Sequence, residues 1–133
     1  MGQLDGRVAI VTGGAISMGK AFARTLAREG ASIAIADIAD GSDAAADIES
    51  EFGVQAMAGT VDVSDESQVS VFVDQVMQKF GRIDILVNNA AMFATLPVQP
   101  HTDYATDLWD QVMAVNVRGP FLMAKHITPH MQT

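Results

Sequence analysis

The 133-residue sequence contains no cysteine. That excludes a disulfide scaffold, a thiolate nucleophile and a cysteine metal site. Positive charge is also scarce: 8 lysines and arginines face 16 acids, for a net charge of −8. Nucleic acid and anionic membranes are therefore poor partners, and a bound dinucleotide would have to rely on local dipoles. No apolar run approaches a membrane span and no cationic leader precedes the first apolar segment, so a cytoplasmic protein is expected. Tyrosine occurs once, at Tyr104, and lysine only at positions 20, 79 and 125. Repeats, linkers and low-complexity tracts are lacking too, so residues 1–133 read as a single domain.

What is present is organised around residues 7–37, which read as strand, glycine-rich turn, helix and strand. Val8 to Val11 form a short continuous apolar run, suited to a strand buried on both faces. Thr12-Gly13-Gly14 breaks the chain, and from Met18 the apolar residues take helical spacing at Met18, Phe22 and Leu26, with Ala23 and Ala27 beside them. Gly30 stops the helix. Ile33 and Ile35 begin a second buried strand, and Asp37 stands at its carboxyl end. A helix that follows a glycine turn points unpaired N–H groups and a partial positive charge at one spot, which suits a pyrophosphate. The Asp37 carboxylate then accepts hydrogen bonds from the adenosine ribose. From Gly19 to Asp37 is 18 positions, near the spacing of about 20 for such a unit. The same glycines also suit a plain βα turn with Asp37 a solvated strand end.

Further along, residues 41–52 read as a helix started by Ser42 or Asp43, carrying Ala45, Ile48 and Phe52 inward. Residues 54–63 read as a third strand. Ser64-Asp65-Glu66-Ser67 offers caps for an amphipathic helix with Val69, Phe72, Val73, Val76, Met77 and Phe80 on one face. Ile83 to Val87 read as the fourth strand. The βαβαβαβ order implies right-handed crossovers and a parallel sheet. Asn88-Asn89-Ala90-Ala91 follows the fourth strand, either as an Asx turn or as a low ledge for a flat ring.

Thr12-Gly13-Gly14-Ala15-Ile16-Ser17-Met18-Gly19 resembles the TGxxxGxG turn of the short-chain dehydrogenases/reductases. Asp62-Val63 resembles that family's adenine-contacting pair, Asn88-Asn89-Ala90-Ala91 its NNAG stretch, and Asn116 falls where the family has its active-site helix asparagine. The resemblance implies an α/β, Rossmann-type doubly wound parallel sheet, here incomplete: four strands with helices on both faces and a final helix bearing Asn116. It implies an NAD site at Gly13, Ser17, Met18, Gly19, Asp37, Asp62, Val63, Asn89, Ala90 and Ala91, with Asn116 as the catalytic residue. It also implies hydride transfer between NAD(H) and an alcohol or ketone. Two departures stand out: Ser17 replaces a turn glycine, where its hydroxyl can cap the helix or touch a phosphate and its Cβ can crowd one, and Ala91 replaces the last glycine of NNAG. Asp37 would repel a 2′-phosphate, and Ile38-Ala39 offers no arginine to offset it, so NAD is expected over NADP.

Residues 92–107 read as a long loop at the face where substrate pockets form. His101 within it is either an acid–base group or simply solvated. His126 and His130 can share a helix face, but with Pro129 between them and no further ligand evident, no metal site is expected. A last helix begins near Thr106, with Leu108, Trp109, Val112, Met113 and Val115, and Pro120 inside it leaves the Asn116 carbonyl without its usual donor at a kink. Family members use a tyrosine with a lysine four residues later, and a serine. Here Leu108 stands four beyond Tyr104, so the sequence resembles the N-terminal half of such an enzyme, and these residues alone are expected to be inactive. The alternatives are a non-catalytic NAD-binding module and a structural fragment. An open fourth strand and an apolar last helix, through which family members commonly associate, lead to the expectation of a homo-oligomer.

Overall fold

A computed structural model describes residues 2–131. Four parallel strands, β1 (Val8–Thr12), β2 (Ser32–Asp37), β3 (Ala56–Thr60) and β4 (Ile85–Val87), lie in the order β3-β2-β1-β4. Helices α1 (Ser17–Arg28), α2 (Ser42–Phe52) and α3 (Glu66–Phe80) connect them. After β4 come a 3₁₀ turn at His101–Asp103, α4 (Thr106–Met113), a π turn (Ala114–Arg118) and α5 (Gly119–Met131). The register pairs Ile10 with Ala34 and Leu86, and Ala34 with Met57. β1 and β2 are thus interior strands, and their continuous apolar runs follow from burial on both faces.

The sheet divides two cores. On one face Ala23 and Ala27 of α1 and Ala44, Ala45 and Ile48 of α2 pack against Ala9, Val11, Ile33 and Ile35. On the other, Val69, Phe72, Val73 and Val76 of α3 meet Leu122, Met123 and Ile127 of α5 over Val8, Ile10 and Ala36. Helix ends follow local chemistry. Gly30, at φ 100°, closes α1 with N–H bonds from Gly30 to Ala27 and from Ala31 to Leu26, the paired bonds of a Schellman motif. The Asp65 carboxylate caps α3 by accepting from the Ser67 and Gln68 N–H groups.

Several expectations from the sequence need correction. α1 does not bury Met18 and Phe22, which are 66% and 39% exposed; its inner face is Gly19, Ala23 and Ala27. Small residues win there because they let the helix axis lie close to the sheet. α2 starts from Gly41, while Asp40 accepts from the Ser42 N–H and hydroxyl. β3 and β4 are shorter than residues 54–63 and 83–87. β4 begins late because the Asp84 carboxylate itself accepts the Val8 N–H at 2.9 Å, standing in for a strand carbonyl. The helix expected to kink at Pro120 instead passes through the π turn, in which the Gly119 N–H reaches the Ala114 carbonyl five residues back.

Candidate functional site

β1 ends in Thr12, which is buried, and its Oγ1 accepts the N–H groups of both Asn89 and Ala90 at 3.0 Å. That single hydroxyl fastens the stretch after β4 to the start of the glycine turn. The turn is held from β2 as well, by the Gly13 N–H on the Ala36 carbonyl at 2.7 Å. Gly13 has φ 66°, and a Cβ there would stand 2.8 Å from the Asn89 side-chain nitrogen. Gly19 is tighter still: an added Cβ would sit 1.9 Å from the Gly13 carbonyl oxygen. The first turn of α1 therefore lies directly on the glycine turn, and only glycine permits it. Asn89 completes the junction by donating its side-chain N–H to the Gly13 carbonyl at 3.2 Å.

The N-terminus of α1 carries no side-chain cap: Ile16 is the extended N-cap residue and Ser17 makes no capping bond. Ser17 is the one non-glycine described with positive φ, at 51°. With Met18 it lies exposed beside first-turn N–H groups that have no helical carbonyl partner. Asp37 sits at the end of β2, 9% exposed. Its Oδ2 accepts the Ala15 N–H and its Oδ1 the Ala39 N–H, each at 3.0 Å.

Asp62 turns its carboxylate onto its own loop, accepting from the Ser64 N–H at 2.9 Å and hydroxyl at 2.6 Å. The Val63 side chain is buried against Gly119, where a Cβ would stand 2.7 Å from its Cγ2. A ligand can reach Val63 only through its backbone. Asn116, on the π turn, clasps Met92: its Oδ1 accepts the Met92 N–H at 2.8 Å and its Nδ2 donates to the Met92 carbonyl at 3.0 Å. Both amide atoms are thus engaged in holding the segment that follows Ala91, itself exposed.

The turn, Asp37 and the asparagine stretch converge on the carboxyl ends of β1, β2 and β4; His101 lies in an exposed 3₁₀ turn. His126 places its Nε2 3.0 Å from Glu66, which also pairs with Lys125. Among the described residues no group of three or more histidines and acids is arranged to hold a metal. Concavities of about 450 and 530 Å³ lie elsewhere, one against β3 and α3 and one along α4, the π turn and α5. Sequence reasoning gave no hint of the Thr12 and Asn116 bonds, because their partners lie 77, 78 and 24 positions away.

A parallel sheet with helices on both faces and a glycine turn at its carboxyl edge is a Rossmann-type unit. The chain belongs to the short-chain dehydrogenase family, whose model matches residues 7–133. It is 38% identical over 129 residues to a sorbitol dehydrogenase of Cereibacter sphaeroides, covering 97% of this chain and 48% of that protein. It is 39% identical over 128 residues to a galactitol 2-dehydrogenase of Agrobacterium fabrum, covering 95% and 47%. Among solved structures, an NAD+-bound xylitol dehydrogenase superposes with a TM-score of 0.89 at 36% identity, over 97% of this chain and 49% of that one. A carveol dehydrogenase from Mycobacterium avium in complex with NAD gives 0.90 at 26% identity, over 98% and 51%. The chain spans about half the length of the relatives it matches.

Proposed function

We propose that this chain binds NAD along the carboxyl edge of its sheet and supplies the cofactor-holding half of an oxidoreductase acting on an alcohol or its ketone. The observation that carries the reading is the uncapped N-terminus of α1, set directly on the glycine turn by the close approach of Gly19 to Gly13, with the Asp37 carboxylate bonded to the same turn. When bound, the nicotinamide group accepts or gives up the hydride. The chain's own residues bind and orient. The first-turn N–H groups of α1 at Ser17, Met18 and Gly19 face the pyrophosphate. Asp37 accepts from the adenosine ribose, and the backbone at Asp62 and Val63 borders the adenine. Ala90 and Ala91 would leave room for the ring, and Asn116 holds the Met92 backbone that follows them. Asn116 thus acts as a positioning residue through its side chain.

The tyrosine–lysine pair that the family resemblance implies for proton transfer at the substrate oxygen does not occur in these 133 residues, where Leu108 stands four beyond Tyr104. The names of the relatives, sorbitol, galactitol and carveol dehydrogenases among them, support an alcohol as the substrate class. Assembly fits the same reading. Trp109, Met113, Val117 and Phe121 form an exposed apolar stripe at four-residue spacing. Asp110 and Arg118 flank it equally about Ala114, so antiparallel apposition with a second copy sets opposite charges together. Calorimetric titration tests the cofactor reading. NAD is expected to bind more tightly than NADP, with the gap narrowed in Asp37→Ala; equal or tighter binding of NADP refutes it.

A further inference from the structure

The carboxylate of Asp37 does more than face a ribose. Ala15 is a buried residue in the middle of the glycine turn, and the acceptor for its N–H is Asp37 Oδ2, at 3.0 Å in a buried setting. One residue earlier on the same strand, the Ala36 carbonyl holds the Gly13 N–H at 2.7 Å. The turn is therefore moored to β2 at two successive positions, by main chain at Ala36 and by side chain at Asp37. Oδ1 holds the Ala39 N–H, which fixes the carboxylate plane from the far side. Each carboxylate oxygen can accept two hydrogen bonds and here takes one from the backbone, so a lone pair on each remains for ribose hydroxyls while both backbone bonds persist.

The geometry points to Asp37 as a positioning residue for the pyrophosphate turn as well as the selector of the ribose, so that the two recognition elements form one coupled unit. This rests on the cofactor reading above. Its consequence is that replacing Asp37 to admit a 2′-phosphate also orphans the buried Ala15 N–H and slackens the turn that meets the pyrophosphate. An exchange of cofactor preference made at Asp37 alone then loses affinity for NAD and NADP together, through the part of the site common to both.

The test begins without cofactor. Amide hydrogen exchange is followed by NMR in the 133-residue chain, wild type against Asp37→Ala and Asp37→Asn. In Asp37→Ala the Ala15 amide is expected to exchange about tenfold faster or more, since its acceptor is gone. The amides of Val73 and Val76 in α3 report that the fold persists. Asp37→Asn keeps one acceptor oxygen, recovers part of the protection, and serves alone if the alanine variant does not fold. Nicotinamide mononucleotide, which carries a phosphate but no adenosine, is then titrated into each protein, and its affinity is expected to fall several-fold in Asp37→Ala. Ala15 exchange unchanged in both variants overturns the inference, even where NAD affinity drops through the ribose. A wild-type chain that binds no nicotinamide nucleotide defeats the cofactor reading instead, and Ala15 exchange still decides the mooring.

Discussion

Ser17→Gly should stabilise this protein, although glycine in a first helical turn ordinarily does the opposite. Ser17 holds φ 51°, in the left-handed region where a Cβ crowds the following carbonyl. For a non-glycine residue that conformation costs about 1–2 kcal/mol. Glycine removes the strain but gives the unfolded chain more freedom, which offsets about 0.5–1 kcal/mol. No hydrogen bond is lost, because the Ser17 side chain makes no cap. The net gain is about 0.5–1 kcal/mol, and at about 2.1 cal/mol/K of unfolding entropy per residue Tm rises by about 2–4 °C. The assay is thermal unfolding followed by far-UV circular dichroism at low concentration, with urea titration to confirm that the slope is unchanged. Ser17→Ala is the control: it keeps the Cβ and the strain, so no rise is expected. A fall in Tm for Ser17→Gly, or an equal rise for both variants, would refute the reasoning.

Thr12→Val fills the same space but deprives the Asn89 and Ala90 N–H groups of their acceptor, at a cost of about 2–3 kcal/mol and about 7–11 °C in Tm; Thr12→Ser, which keeps the hydroxyl, should lose far less in the same melt. Hydrogen bonding from Arg82 holds the Asp84 carboxyl down at about 2 against an ordinary 3.8. A depressed acid stabilises above its unfolded pKa, so this contribution, about 1 kcal/mol once discounted for the exposed arginines, is present above pH ~4 and lost as pH falls towards 2; urea midpoints across that window should lose this step in Asp84→Asn. Light scattering should give a sharp dimer or tetramer that shifts towards monomer in Trp109→Glu or Phe121→Glu, and a stable monomer at high concentration would defeat the assembly proposal. Purified alone, the 133 residues should produce no NADH over a panel of secondary alcohols; turnover that vanishes in His101→Ala would overturn this and promote the loop histidine.

The sequence was most readable where one physical cause acted alone. The runs around Val8–Val11 and Ile33–Ile35 are apolar because both faces are covered, and the caps at Asp65 and Gly81 are local chemistry. Asp37 could be placed at a strand end because the next helix needs a turn before it. Legibility failed where two distant segments compete for one group. Asp84 looks like a strand residue until its carboxylate is seen taking the Val8 N–H. Met18 and Phe22 look like a core stripe until the close approach of Gly19 to Gly13 rotates α1 by one position. The Asn116–Met92 clasp leaves no trace in spacing, because a side-chain amide pairing with a remote main chain has no period.

The π turn amounts to a frameshift within one continuous rod. A helix advances about 100° per residue, so a single residue added to the ring offsets everything after it by that angle. Upstream of Ala114 the phase keeps Trp109 and Met113 outward; downstream it turns Leu122, Met123 and Ile127 into the core and brings Gly119 against Val63. Asn116 lies in the seam, where the two phases meet. Winding the same residues as a regular α-helix through Ala114–Arg118 would swing the inner face of α5 about 100° away from the sheet. The regular helix would gain the better hydrogen bonds and lose the core beneath it, which is why an irregular backbone can be the one consistent with the fold.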